Sequence, residues 1–241
     1  MLFSPSFPVS FSGLVILGAL LNLDRQAFGS FMLSRPLVAG LVLGLAAGRV
    51  DFGVWLGLSA ELLWLSALPL GGQITPNASL AVSVAFIAWA QSGYAPADDL
   101  RTISWLVQPT LVIAFLTVPV WAKALGLIDL GCRRLIPPIL ARARADLAGD
   151  REPHFLRRNL YGLLVNLALS GAALTIAALI NIQAIRAAVN LAPQIVLMNL
   201  GFIFRFLPFM GLLGMAVFLE SRSFPFYLGG LLASLLALSA V

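Results

Sequence analysis

Apolar runs follow one another along almost the entire chain, and they constrain the fold more than any other feature. A helix needs about 20 mainly apolar residues to cross a bilayer, and backbone in lipid must satisfy its own hydrogen bonds. We therefore predict an all-α integral membrane protein. The runs cover residues 9–21, 36–47, 52–70, 80–90, 103–122, 160–182, 187–200, 202–219 and 224–241.

Composition supports this class and argues against a soluble one. Hydrophobic residues make up 60% of the 241 residues and charged residues only 10%, whereas an ordinary soluble domain has about a quarter charged residues. Several runs have only about 10 to 14 residues, a length typical of re-entrant or broken helices. We expect about six to nine membrane segments, some of them incomplete.

The basic residues are concentrated near the middle of the sequence. Eight of the fifteen Lys and Arg residues lie between Lys123 and Arg158, in a stretch that also contains Pro137-Pro138. We predict two membrane halves, 1–122 and 160–241, around a basic loop, 123–159, which the positive-inside rule places in the cytoplasm. The stretch is either a topology signal alone or also a docking surface for a cytoplasmic partner. Interleaved apolar and basic residues over 125–144 favour an interfacial amphipathic segment.

Charge and side-chain chemistry exclude several classes of function. The formal charge of +5 is weak evidence for nucleic-acid binding, because basic residues in membrane proteins usually determine their orientation in the membrane. Cys132 is the only cysteine, and His154, the only histidine, has no partner at ligand spacing. A membrane enzyme would need clustered carboxylates, a metal set or a nucleophile with its base. We expect no catalytic, metal or cofactor site.

Glycines recur at close to helical spacing in the first third of the chain. Such spacing removes side chains from one helix face, so that either a second helix or a ligand can approach the backbone. Both interpretations remain open at this point. The glycines are Gly40, Gly44, Gly48, Gly53 and Gly57.

Glu61 is the most informative charged residue, because it lies inside the apolar run 52–70 with no basic residue within a helical turn. An ionised carboxylate there is costly and normally faces a protein interior or a water-filled pathway. Glu61 therefore either contacts a polar solute or joins two helices as a structural partner. The nearby Trp55 and Trp64 are either interface anchors or a surface on which a sugar stacks.

A polar stretch follows the same run. Residues 70–77 contain Gly71-Gly72, Gln73, Pro76 and Asn77, and such a sequence cannot continue a helix in lipid. It forms either an interfacial turn or a re-entrant tip, in which Gln73 and Asn77 would offer donors and acceptors to a polar solute.

These motifs together resemble the membrane subunit IIC of mannose-fructose-sorbose phosphotransferase permeases. The resemblance covers nearly the whole chain, is densest between residues 24 and 81, and includes the late segment 225–229. It rests on Asp24, Ser34-Arg35-Pro36, Gly44, Gly48, Gly53, Gly57, Glu61-Leu62, Gly71 and Pro76.

The resemblance implies a multi-pass protein of the bacterial inner membrane that binds and passes a hexose. A IID-type membrane subunit would be its partner, and cytoplasmic IIA and IIB subunits would carry the phosphate, so no phosphorylated residue is expected on this chain. Sugar contacts would come from Glu61 and the turn with Gln73 and Asn77, and Asp24 and Arg35 match a polar pair before the second segment. The alternative function is a non-transporting regulatory or scaffold subunit derived from such a permease.

Overall fold

Eight α-helices are found in the described part of the chain, which comprises residues 9–26, 31–64, 76–95, 106–149 and 154–206 of a computed structural model. Within these ranges the chain has no strand, and the prediction of an all-α fold is confirmed. The helices are α1 (Phe11–Gln26), α2 (Pro36–Ala46), α3 (Val50–Trp64), α4 (Ala78–Gln91), α5 (Val107–Leu116), α6 (Val118–Ala148), α7 (Phe155–Leu191) and α8 (Gln194–Phe204).

Helix α4 lies at the centre of the bundle, and all 14 of its residues are buried. It packs against α1, α2, α3, α5, α6 and α7. Its residues are mostly small or apolar, so neighbouring helices can approach it on every side. Asn77 begins the helix, because its side chain accepts a hydrogen bond from the Leu80 amide at 3.1 Å. Burial of α4 therefore also buries Asn77.

Helices α2 and α3 form a tight hairpin in which glycines bring the two backbones together. A Cβ on Gly44 would lie 2.9 Å from the Arg49 carbonyl oxygen, and one on Gly57 would lie 2.7 Å from the Pro36 carbonyl oxygen. Gly40 and Gly53 face each other in the same contact. The helix-packing interpretation of these glycines is confirmed.

Gly48 has a different role, since it makes the turn of this hairpin. Its φ is +67°, a conformation that glycine adopts without steric cost. The Gly48 amide donates to the Leu45 carbonyl at 3.2 Å, and the Arg49 amide donates to the Gly44 carbonyl at 2.7 Å. This is the Schellman pattern, which ends α2 and turns the chain into α3.

Broken and short helices are also confirmed. Helices α5 and α6 meet at Thr117 with a bend of 42°, and α5 with residues 118–131 is apolar enough to form one broken span. Pro119 lies in the first turn of α6, where its missing N–H interrupts the hydrogen bonding that would continue α5. Helix α7, with 37 residues, is long and apolar enough to cross a membrane alone. Helices α2, α4 and α8 are apolar but shorter.

The basic stretch is largely helical. Residues 123–148 belong to the 31-residue helix α6, which contains Pro137 and Pro138 in its interior, so the basic loop predicted for 123–159 contains a helix, and its cytoplasmic position stays a prediction. Because residues 134, 135, 137 and 138 are exposed, water can replace the hydrogen bonds that the prolines remove. The division into two membrane halves stays a prediction. The segment 225–229 and most of the last two apolar runs lie outside the described residues.

Candidate functional site

Asp24, at the end of α1, organises the segment that leads into α2. Its Oδ1 accepts a hydrogen bond from the Phe31 amide at 2.6 Å, and its Oδ2 accepts one from the Ser34 amide at 3.2 Å. The segment includes Met32 with a φ of +65°, which is uncommon for a residue with a side chain. Asp24 is 3% exposed and holds this turn in place.

Arg35, the N-cap residue of α2, forms an ion pair with Glu61 in the last turn of α3. Arg35 Nη1 lies 2.8 Å from Glu61 Oε1, and Glu61 Oε2 accepts a hydrogen bond from the Leu37 amide at 3.4 Å. The Arg35 side chain is 51% exposed and that of Glu61 is 17% exposed. Glu61 therefore joins two helices, which is one of the two roles that the sequence allowed. Its contact with a solute stays a prediction.

Asn77 is fully buried, and both polar atoms of its side-chain amide form hydrogen bonds. Its Nδ2 donates to Asn22 Oδ1 at 2.9 Å and to Asp129 Oδ1 at 3.2 Å, while its Oδ1 accepts from the Leu80 amide. Its backbone amide donates to the Ala122 carbonyl at 2.8 Å. Asn77 therefore ties α1 and α6 to the start of α4.

These contacts extend into a polar chain across four helices. Asn22 Nδ2 donates to Ser170 Oγ at 2.9 Å, and the Ser170 hydroxyl donates to Asn166 Oδ1 at 3.2 Å. At the other end, Arg25 Nε lies 3.1 Å from Asp129 Oδ2, and Arg25 Nη1 donates to the Pro76 carbonyl at 3.2 Å. We call these residues the buried polar cluster: Asn22, Arg25, Asn77, Asp129, Asn166 and Ser170.

Most of this cluster was missed by the sequence reasoning. Asp129 is a single carboxylate within the apolar stretch 124–131, which is the same signal that identified Glu61. It was overlooked because the whole region 123–159 was assigned to a basic loop. Asn166 and Ser170 are four residues apart on α7 and so share one face, but nothing in the sequence shows that this face meets Asn22.

The predicted solute residues occupy three places around one end of the bundle. Asp24 binds the segment before α2, Arg35 and Glu61 join α2 to α3, and Asn77 belongs to the buried polar cluster. Asp24 and Arg35 have different partners in the structure. Gln73 lies outside the described residues.

Trp55 is half-buried and packs against the core. Its ring stacks on Phe204 of α8, with ring centroids 4.1 Å apart and planes 15° apart, and Phe115 of α5 meets it edge-on at 6.3 Å. One face of the Trp55 ring is therefore covered by protein. Trp64 is half-buried against the core.

Comparison with known proteins identifies the family. The model of the family described as the sorbose-specific IIC component of the phosphotransferase system matches residues 10–241. This chain belongs to that family. It is a multi-pass membrane protein and a IIC sugar-transport component of the mannose, fructose and sorbose group. No curated protein matches it significantly.

Solved structures share the fold of this IIC component. One, described as a membrane protein, is 18% identical with a TM-score of 0.63, covering 94% of this chain and 89% of the other. Another is the mannose transporter ManYZ in complex with microcin E492. It is 18% identical with a TM-score of 0.51, and the match covers 94% of this chain and 88% of the other.

Proposed function

We propose that this IIC component binds a hexose and passes it across the bacterial inner membrane. Cytoplasmic partner subunits then phosphorylate the hexose. The observation that carries the proposal is the family match over residues 10–241. The candidate site adds support, because polar and charged groups inside membrane proteins are costly and usually mark a functional pathway.

The buried polar cluster gives the chemical basis for handling a sugar. Carboxylate, amide and hydroxyl groups from α1, α4, α6 and α7 alternate as donors and acceptors over short distances. Sugar hydroxyls both donate and accept hydrogen bonds, so they can exchange with such partners. We infer that Asn77 of this cluster contributes to sugar binding, together with Glu61, Asp24, Arg35 and Gln73.

The chain acts with partners in this proposal. A IID-type membrane subunit completes the pathway, and soluble IIA and IIB subunits carry the phosphate, so no residue of this chain is phosphorylated. Exposed apolar side chains along α7 and α8 offer a surface for lipid or for such a subunit. They include Ile176, Leu179, Ile180, Ile195 and Phe202. Purification of the intact complex followed by mass spectrometry tests which subunits are bound.

The decisive test concerns Glu61. Glu61→Gln keeps the shape of the side chain and removes its charge. If Glu61 binds a sugar hydroxyl, sugar affinity should fall about ten- to a hundredfold, because a hydrogen bond to a charged group contributes roughly 1.5–3 kcal/mol. Uptake into cells and the yield of the membrane complex are measured on the same preparation. Asp51→Asn is the matched control, because it removes the same negative charge at an exposed position of α3.

A double variant separates the solute role from the structural one. Removing Glu61 alone leaves Arg35 without its ion-pair partner, whereas removing both charges is expected to be nearly neutral for stability. If the Arg35–Glu61 pair acts only structurally, the variant with both Arg35→Gln and Glu61→Gln should regain yield and uptake. If the pair contacts sugar, yield should recover and uptake should not. Normal yield and normal uptake in Glu61→Gln would contradict both roles.

The second candidate function is a regulatory or scaffold subunit that no longer carries sugar. It is favoured by the internal partners that Asp24, Glu61 and Asn77 already have. Under this alternative the complex assembles normally, yet cells that contain it show no sugar uptake above background. Uptake that depends on Glu61 would exclude it.

A further inference from the structure

A basic pocket lies where α6 ends and α7 begins, away from the buried polar cluster. Five side chains line it: Arg142, His154, Arg157, Arg158 and Tyr161. Three of the five are guanidinium groups, whose flat arrangement of donors matches phosphate and carboxylate oxygens. The composition of the lining therefore indicates an anion.

The positive charge in this pocket is only partly neutralised. Arg158 Nη2 forms an ion pair with Asp146 Oδ2, which accounts for one of the three arginines. Within the described ranges, neither Arg142 nor Arg157 has a carboxylate partner. Nη1 of Arg158 is buried and has no hydrogen-bond acceptor there. Buried donors normally find an acceptor, and a phosphate oxygen would provide one.

Exposed apolar side chains lie in the same two turns of α7 as the pocket and indicate where this end of the helix sits relative to the bilayer. Phe155 is 57% exposed, Leu156 75% and Leu160 50%, all in the first two turns of α7. With 37 residues, α7 is about 55 Å long, well beyond the roughly 30 Å of a hydrocarbon core. Its ends therefore reach the headgroup region, where tyrosines such as Tyr161 are also common.

We propose that this pocket binds the phosphate of an anionic phospholipid. Arg142 and Arg157 bind the phosphate oxygens, Arg158 Nη1 donates to one of them, and the lipid chains lie against Phe155, Leu156 and Leu160. A soluble phosphate would use the same guanidinium groups but would leave these apolar side chains in water. The apolar surroundings are the reason why a lipid fits better than a free ion.

The test uses the purified full-length chain in nanodiscs of zwitterionic lipid with added phosphatidylglycerol. Native mass spectrometry counts retained lipid, and titration with a fluorescent phosphatidylglycerol gives its affinity. The variant with Arg142→Gln and Arg157→Gln should lower the affinity at least about tenfold, because charge-assisted hydrogen bonds are lost. Its matched control carries Arg134→Gln and Arg144→Gln, two exposed changes on α6 that remove the same charge outside the pocket. The control should retain the lipid.

Each other outcome overturns the proposal. Equal loss in both double variants would mean general attraction of a basic surface to anionic lipid. Displacement of the lipid by millimolar inorganic phosphate would assign the pocket to a soluble ion. Unchanged lipid affinity with lost binding of a soluble IIB subunit would assign it to protein docking. If the glutamine variant does not fold, Arg142→Lys with Arg157→Lys keeps both charges but removes the planar guanidinium donors, so it should weaken lipid binding, and unchanged affinity there would count against the proposal. Lipid retention is measured without sugar, so failure here leaves the transport proposal untouched.

Discussion

At the scale of single residues, a buried contact joins the Asn77 amide to the Asp129 carboxylate. The Asn77 amide donates to both Asp129 oxygens, at 3.2 and 3.3 Å, while Arg25 pairs with the same carboxylate. An acidic residue in place of Asn77 would face Asp129 directly, and two carboxylates at this distance repel each other.

The first prediction follows from this contact. Asn77→Asp should lower stability by about 2 kcal/mol or more, because it replaces a donor with a second acceptor in a buried place. Adding Asp129→Asn should recover part of the loss, since the donor and the carboxylate then exchange sides. Thermal unfolding of the purified variants measures both effects. Equal stability of Asn77→Asp and the parent chain would show that the contact does not form.

Sequence reasoning found some of these residues and missed others for physical reasons. Glu61 stood out because a charge in an apolar run is costly wherever the helix lies. Asp129 gave the same signal but lay beside many arginines, and its partner Asn77 is 52 positions away. Sequence gives the cost of burying a polar group, whereas the partner that lowers this cost is known only from the fold.

At the scale of elements, the α2–α3 hairpin depends on the absence of side chains between its helices. A Cβ on Gly53 would lie 2.8 Å from the Gly44 Cα and would also meet the Gly40 carbonyl oxygen. Both neighbours are backbone atoms, so they can move only if the helices separate. Separation would also strain the ion pair of Arg35 with Glu61 at the end of the hairpin.

The second prediction uses two glycines in different surroundings. Gly53→Ala should destabilise the protein by about 1–3 kcal/mol, as overpacking does. Gly131→Ala on α6 is the matched control, because its Cβ would meet no atom of the described residues within 4 Å. There, alanine should be neutral or stabilising by up to about 1 kcal/mol through its helix propensity. Thermal unfolding of the two variants in the same detergent compares them, and equal effects would contradict the tight contact.

Elements themselves were predictable to different degrees. The apolar run 36–47 correctly indicated α2, and close helix packing was one of the two interpretations of the glycine spacing. The helical character of the basic stretch was harder to predict, because prolines and charges are typical of loops, yet α6 continues through Pro137 and Pro138. Exposure of these prolines to water explains how the helix can continue there, since water can replace the hydrogen bonds that they remove.

At the scale of the whole molecule, the basic stretch determines the orientation that we expect in the membrane. The stretch 123–159 is expected to face the cytoplasm, because translocating many positive charges is disfavoured. His154 is exposed and lies between α6 and α7, so labelling of a cysteine there shows which side of the membrane this junction faces. The background is Cys132→Ala, which removes the only native cysteine.

The third prediction is that His154→Cys is not labelled by an impermeant thiol reagent in intact cells and is labelled after the cells are opened. A cysteine that replaces a residue of the opposite side serves as the control for reagent access. Labelling in intact cells would place the α6–α7 junction outside and would contradict the predicted topology. It would also move the proposed lipid pocket to the outer leaflet.

Burial of α4 on every side has a consequence for biosynthesis. Residues 78–91, which form α4, leave the ribosome before the α6 and α7 helices that enclose them have been translated. Helix α4 is also shorter than the roughly 20 residues that a stable independent insertion requires. The nascent chain must therefore keep α4 in a provisional place, within the translocon or against α1 to α3, until Phe155–Leu191 arrives. Chains truncated after Gly149 should consequently be recognised by quality-control proteases, although every residue of α4 is present.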